Sequence, residues 1–266
     1  MKSYLATIML MIFSAVYASS AVADDTLKVV SYNVQVRPVL DDAGKLPEIG
    51  KRITDFDIVG IQELFVGAER LKNAAGGMNF RYFAPRRHIF KIVNSGLAVL
   101  SRYPVESTAQ EYFQKEGSFE NVLGSKGIFM TRIIIDGQVL DFYTTHLAAG
   151  REKDSGAARQ SQTEQIIRFI QKHSPADHAV ILTGDFNWKL HRLHEFTQLG
   201  LTHVVQTLKR PKEANIDHIF YRSGKNLKLT PQQWSVLKKP FQMSNGEYLS
   251  DHDPVLAIFS IKNSAE

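Results

Sequence analysis

Eight short apolar, β-branched runs recur along the chain, and the residues at their ends constrain it more than their interiors do. They are LKVVSYNV (27–34), FDIVGIQEL (56–64), GLAVLSRY (96–103), GIFMTRIIID (127–136), QVLDFYTTHL (138–147), AVILTGDFN (179–187), NIDHIFYR (215–222) and PVLAIFSIK (254–262). Each has the length of a buried strand. Between them lie two helical patterns, GKLPEIGKRITDF (44–56), with Leu46, Ile49 and Ile53 on one face, and SGAARQSQTEQIIRFIQKH (155–173). Asp136-Gly137-Gln138 reads as a hairpin turn, so part of the sheet structure is antiparallel. Mixed sheets with helices outside them follow, an α/β fold.

Several runs close on a polar residue that is costly to bury alone. Asn33 ends one, Glu63 another, His146 a third, while Asp185 and Asn187 end a fourth two residues apart. Asp217 opens NIDHIFYR, and Asp251 and His252 stand just ahead of the last strand. Singly, these are turn, cap or structural residues. Together, Glu63, Asp185, Asp251, Asn33 and Asn187 offer the hard oxygen donors that a Mg²⁺ ion takes beside a substrate phosphate. Side chains at i and i+2 of an extended chain share a face, so Asp185 and Asn187 are expected to project together.

The 266-residue chain opens with one basic residue, an apolar stretch and Ala21-Val22-Ala23, the layout of a secretory signal peptide cleaved after Ala23. A membrane anchor is the alternative, but Tyr4–Ala18 falls short of the roughly 20 apolar residues of a span. The expectation is an exported protein, periplasmic or secreted, whose residues 24–266 form a single domain and act as a monomer. With no cysteine, its core holds without disulfides. Without Lys2, 31 basic residues face 27 acidic ones, a formal charge of +4. The basic residues cluster at 81–91, 209–212 and 237–239. Such clusters suit a polyanion or an anionic surface, or are simply solvated. His191 and His194 of HRLH have the spacing of a two-histidine metal site but no third ligand nearby in sequence, and read as surface residues.

SYNVQ, GIQE, SGLAVLSRYP, TTHL, GDFN, IDHIFY and SDHDP occur in one order from Val29 to Ile258. In that order they resemble the endonuclease/exonuclease/phosphatase superfamily, the group of DNase I, exonuclease III-type repair enzymes, inositol polyphosphate 5-phosphatases and neutral sphingomyelinases. The resemblance implies a four-layered α/β sandwich, two packed mixed β-sheets flanked by helices. It implies a Mg²⁺-dependent phosphodiesterase, Mn²⁺ or another divalent ion being an alternative, with Glu63, Asn33 and Asp251 at the metal. His252 then resembles the general base oriented by Asp217, Asp185 helps place the attacking water, and His146 and Asn187 resemble the phosphate-binding pair.

Within that superfamily two stretches are similar to the sphingomyelinase branch, SKGIFMTRI (125–133) and ARQSQTEQIIRFI (158–170). The expected substrate is therefore a phospholipid at a membrane surface, sphingomyelin cleaved to ceramide and phosphocholine. A quaternary ammonium calls for an aromatic face, for which Phe65, Tyr82, Phe119 and Trp188 are candidates. Trp234 and Phe241 are the aromatics available for an exposed hairpin and read instead as core. A DNase I-like or distending-toxin-like endonuclease is the first alternative, with Arg81, Arg86, Arg87 and Lys91 to hold nucleic-acid phosphates. A 5-phosphatase, with Lys189 near a ring phosphate, and an inactive lipid- or protein-binding scaffold are the others.

Overall fold

A computed structural model of the chain describes residues 25–37, 42–83, 91, 93–117 and 124–264. The expected signal peptide, Arg86, Arg87 and Phe119 lie outside the described residues. The strands are β1 (Asp25–Val36), β2 (Ile58–Leu64), β3 (Asn79–Tyr82), β4 (Ala98–Ser101), β5 (Val105–Tyr112), β6 (Gly127–Ile135), β7 (Gln138–His146), β8 (Ala179–Asp185), β9 (Thr202–His203), β10 (Asp217–Arg222), β11 (Leu227–Val236) and β12 (Val255–Asn263). They form two six-stranded sheets, in the orders β11-β12-β1-β2-β4-β3 and β5-β6-β7-β8-β10-β9.

Each sheet is antiparallel except for one parallel pair at its centre, β1 with β2 and β7 with β8. A parallel pair needs a crossover, and a helix supplies each. Helix α1 (Leu46–Ile53) lies between β1 and β2, followed after β2 by α2 (Ala68–Ala74), and α3 (Lys153–His173) lies between β7 and β8. Pro47 in the first turn of α1 and the buried stripe Leu46, Ile49, Ile53 are what a short helix packed on a sheet requires.

Alternation along β1 divides the core into layers. Leu27 and Val29 point between the sheets with Ile58, Phe142, Ile181 and Phe259, whereas Val30, Tyr32 and Val34 point outward to Ile49, Ile53 and Leu71. A third cluster joins Ile166, Phe169 and Ile170 of α3 to Val180 and Leu182 of β8. Helix, sheet, sheet, helix is thus the layering, the four-layered α/β sandwich expected from the sequence. The sheets approach closely at Gly60, where an added Cβ would stand 2.4 Å from Thr183 Oγ1 and 3.1 Å from Thr144 Oγ1.

All eight runs contribute strands, and Asp136 and Gly137, both at positive φ, form the hairpin turn between β6 and β7. β5 and β11 were not legible as apolar runs, because each is a sheet edge whose outward residues are polar: VESTAQEY and LKLTPQQWSV. Pro231 sits where the β11 register shifts, a place an edge strand tolerates it. Trp234 and Phe241 are buried. Among the described residues no helix is long and apolar enough to cross a membrane.

Candidate active site

Both parallel pairs end at the same rim, and their carboxyl ends carry the polar residues: Asn33 on β1, Glu63 on β2, His146 on β7 and Asp185 on β8. Asp217, the first residue of β10, pairs directly with Asp185 across the antiparallel ladder. The loop before β12 brings in His252, fixed by the Ser250 hydroxyl, which donates to the Asn33 carbonyl (2.7 Å) and accepts from the His252 backbone N–H (3.2 Å). Asn33 and Ser250, 217 positions apart in sequence, thereby meet at one place.

The Asn33 carboxamide ties the two sheets together. Its Nδ2 donates to Glu63 Oε1 (3.0 Å) and to Asp185 Oδ2 (3.1 Å), while Oδ1 accepts the Gln35 backbone N–H (3.1 Å). Asn33 thereby orders the two carboxylates, while its oxygen keeps a second lone pair beyond the Gln35 bond. Glu63, Gln35 and Asn187 all have positive φ (56°, 51° and 49°), so three of the five such non-glycine residues described lie at this rim. Backbone held in a sparsely populated region by its surroundings is common where side chains must be aimed.

Two groups of potential ligand atoms lie within 4.8 Å of one another: Glu63 with His146 and Asp185, and Asp185 with Asp217 and His252. Asp251 belongs to neither. It is exposed and accepts a hydrogen bond from Gln35 Nε2 at the edge of the cleft. In the bend ahead of the last strand, His252 is the residue turned inward and Asp251 the one turned out.

His252 Nδ1 lies 3.0 Å and 3.2 Å from the Asp217 carboxylate oxygens, and Nε2 lies 3.7 Å from Asp185 Oδ2. In its neutral form the imidazole is therefore held as the Nδ1–H tautomer, with Nε2 turned into the cleft. Burial lowers its pKa, but the hydrogen bond and charge of Asp217, with Asp185 and Asp251, outweigh this and push it up to about 9. Asp185 is raised to about 6 by burial and then by Asp217. Glu63 is raised by burial first, and Asp185 and Asp251 add to the rise against the lowering by Asn33 and Lys126. Buried carboxylates that raise one another in this way are a donor set lacking a counter-cation, and oxygen donors of this kind suit Mg²⁺ or Mn²⁺.

His146 is different. Lys126 Nζ stands 3.0 Å from its Nε2 and Asn187 Nδ2 3.3 Å, and both also donate to the Leu147 carbonyl. Burial and then Lys126 depress its pKa well below the ordinary value, so the ring is neutral and Nε2 already faces donors. His146 fits a metal less well than Glu63 and Asp185 do. Asn187 is aimed by a tight turn in which its own backbone N–H donates to Asp185 Oδ1 (2.9 Å). Lys126, Gln35 and Ser250 are the site residues not singled out from sequence. Lys126 is the second residue of the SKGIFMTRI stretch, and that position is its only signal.

Below Asn187 a second set of buried imidazoles has fixed polarity. The Val205 N–H donates to His203 Nδ1 (3.1 Å), so His203 Nε2–H donates to His218 Nδ1 (3.0 Å), and His218 Nε2–H donates to the Trp188 carbonyl (2.8 Å). Burial lowers the pKa of both, that of His218 to about 4, so the chain stays neutral and anchors the turn carrying Asn187 and Trp188. His191 and His194 are exposed and belong to neither ligand group.

The model of the endonuclease/exonuclease/phosphatase family matches residues 30–252. A sphingomyelinase of Mycobacterium tuberculosis is 28% identical over 259 residues, covering 86% of this chain and 52% of its own. The chain spans about half the length of the curated relatives it matches first. D. rerio TDP2 complexed with a single-strand DNA product has a TM-score of 0.68 at 20% identity, covering 89% of this chain and 99% of that one. A magnesium-bound Staphylococcus aureus beta toxin variant has a TM-score of 0.63 at 20% identity, covering 88% and 99%. At such identities the two structures establish the fold.

Proposed function

Because the chain belongs to the endonuclease/exonuclease/phosphatase family, we propose that its rim cluster hydrolyses a phosphodiester by attack of water on phosphorus. The observation that carries this reading is the convergence of Glu63, His146, Asp185, Asp217 and His252 at the carboxyl ends of two parallel strand pairs. His252 Nε2, backed by Asp217, takes the proton of the attacking water, and Asp185 accepts that water's second hydrogen bond. Asn187 Nδ2 and the Lys126 ammonium, both within 3.3 Å of His146 Nε2, turn to the phosphoryl oxygens as charge develops there and the bond to the leaving oxygen breaks. Glu63 and Asp185 hold a divalent cation, Mg²⁺ first, with Asn33 ordering them and Asp251 at the rim. When bound, that ion supplies charge neutralisation at the phosphoryl group.

The substrate we put first is sphingomyelin, the lipid in the name of the Mycobacterium tuberculosis relative, cleaved to ceramide and phosphocholine. We further propose that residues 24–266 are the mature, exported unit. The test is to give that protein sphingomyelin liposomes and supercoiled plasmid, each with Mg²⁺ and with EDTA. Metal-dependent phosphocholine release without nicking supports the reading, and nicking without lipid cleavage replaces it with a nuclease. The nuclease is the second reading because Arg151, Lys189 and Arg192 line a cavity beside Asn187, and among the described residues none of the three pairs with a carboxylate. Cleavage of neither, with tight liposome binding, leaves a scaffold.

A further inference from the structure

A cavity of about 950 Å³ opens directly beyond Asn187, and its charged wall has one sign. Arg151, Lys189 and Arg192 line it with His191, and among the described residues no acidic one does. The three cations are exposed, and among the described residues none pairs with a carboxylate, in contrast to Arg210, which pairs with Glu213. Two acids stand behind this wall, Glu152 beside Gly150, where it accepts from the Ser155 hydroxyl, and Glu195, which accepts from Gln160 Nε2. Lys189 and His191 also line an adjoining cavity of about 350 Å³, to which Lys212 adds a further cation. Gly156, in the first turn of the 21-residue helix α3, completes the wall at that helix's positive end.

The floor is rigid. Trp188 lines the cavity while the Arg159 guanidinium lies 5.4 Å from its ring centroid, and Arg159 is itself held by the carbonyls of Ala148 and Gly150 at 2.7 Å and 2.8 Å. The His218 bond to the Trp188 carbonyl fixes the same residue from below. One aromatic face is thus already taken by a cation, and converging positive charge repels a quaternary ammonium. Two of the aromatics expected to face a choline group stand away from this cavity, next to Glu63: Phe65 packs beside Gly96 and the Tyr82 hydroxyl donates to the Leu64 carbonyl.

We propose that the cavity beyond Asn187 is a second anion subsite, which holds a phosphate oxyanion other than the one being cleaved. It rests on the phosphodiesterase reading only in placing that oxyanion beside a scissile phosphate. Two sources share the chemistry, the headgroup of an anionic lipid lying next to the substrate in a membrane and a free phosphate.

Trp188 reports occupancy, since the other tryptophan, Trp234, is buried. Inorganic phosphate is titrated into the full mature protein in EDTA, where the clustered carboxylates keep anions out of the metal site. The expected result is a saturable change in emission, absent in Trp188→Phe and shifted to at least about tenfold higher phosphate in Lys189→Glu/Arg192→Glu. In parallel, sedimentation with phosphatidylcholine vesicles, with and without phosphatidic acid, is compared for the same proteins. Charge-reversal-sensitive binding to phosphatidic acid assigns the lipid source, and a response to phosphate alone assigns the soluble one. Both support the subsite. Responses to phosphate and vesicles that are unchanged in the charge-reversed protein, with its melting temperature intact, overturn it; Arg151→Glu repeats the test should the double variant not fold. Hydrolysis of bis(p-nitrophenyl) phosphate by the wild type with Mg²⁺ is measured separately, so that a failed subsite is distinguished from a failed phosphodiesterase.

Discussion

At His252, burial and the neighbouring carboxylates pull in opposite directions, and the carboxylates win by raising the pKa to about 9. A base works only when unprotonated, so this ring acts where its pKa is brought down toward the working pH. Asp217 contributes to the rise, and Asp217→Asn should move the acidic limb of the kcat/KM profile to lower pH while lowering its plateau. A limb that moves to higher pH contradicts the assignment. His252→Ala should lose about 10²- to 10⁴-fold in rate, since it removes the proton acceptor, and a circular-dichroism melt should show its fold retained. At this scale the sequence revealed residues that end strands, such as Glu63 and Asp185. It did not single out Gln35 or Lys126, which lie within SYNVQ and SKGIFMTRI without ending a strand and acquire Asp251 and His146 as partners only through folding.

The elements place the cluster through the two parallel pairs, whose carboxyl ends meet because the sheets pack face to face. Gln62, buried one residue before Glu63, donates to Ser31 Oγ (3.2 Å) within its own sheet and to Thr144 Oγ1 (2.9 Å) on the other. Gly60 is the close point between them. Gly60→Ala would press a methyl against Thr183 Oγ1, which is held by the Tyr143 carbonyl at 2.9 Å and has nowhere cheap to go. Overpacking of this kind costs about 1–3 kcal/mol, read as a lower urea midpoint with an unchanged slope. An unaltered midpoint would mean that the sheets are farther apart than described. Buried strands were legible because their side chains are apolar on both faces, and the crossover helices because theirs repeat with a helical period. Edge strands β5 and β11 were not, since half of each faces water.

For the whole molecule, buried carboxylates that raise one another's pKa destabilise the fold once ionised, and a bound cation relieves them. Adding Mg²⁺ near pH 8, above the Asp185 value of about 6, should therefore raise the melting temperature. At about 100 times its dissociation constant, an ion bound only by the folded state stabilises by about 2.7 kcal/mol, which in a domain of this size is roughly 5–10 °C. Glu63→Gln should abolish most of that shift. The central claim, that one pocket built from both sheets performs metal-dependent phosphodiester hydrolysis, is tested most directly by initial rates of bis(p-nitrophenyl) phosphate hydrolysis for the mature wild type, Glu63→Gln and His252→Ala, each with Mg²⁺ and with EDTA. The wild type should turn over only with Mg²⁺, and each folded variant should fall by about 10²-fold or more. Wild-type activity that survives EDTA, or variants that match it, would contradict the account.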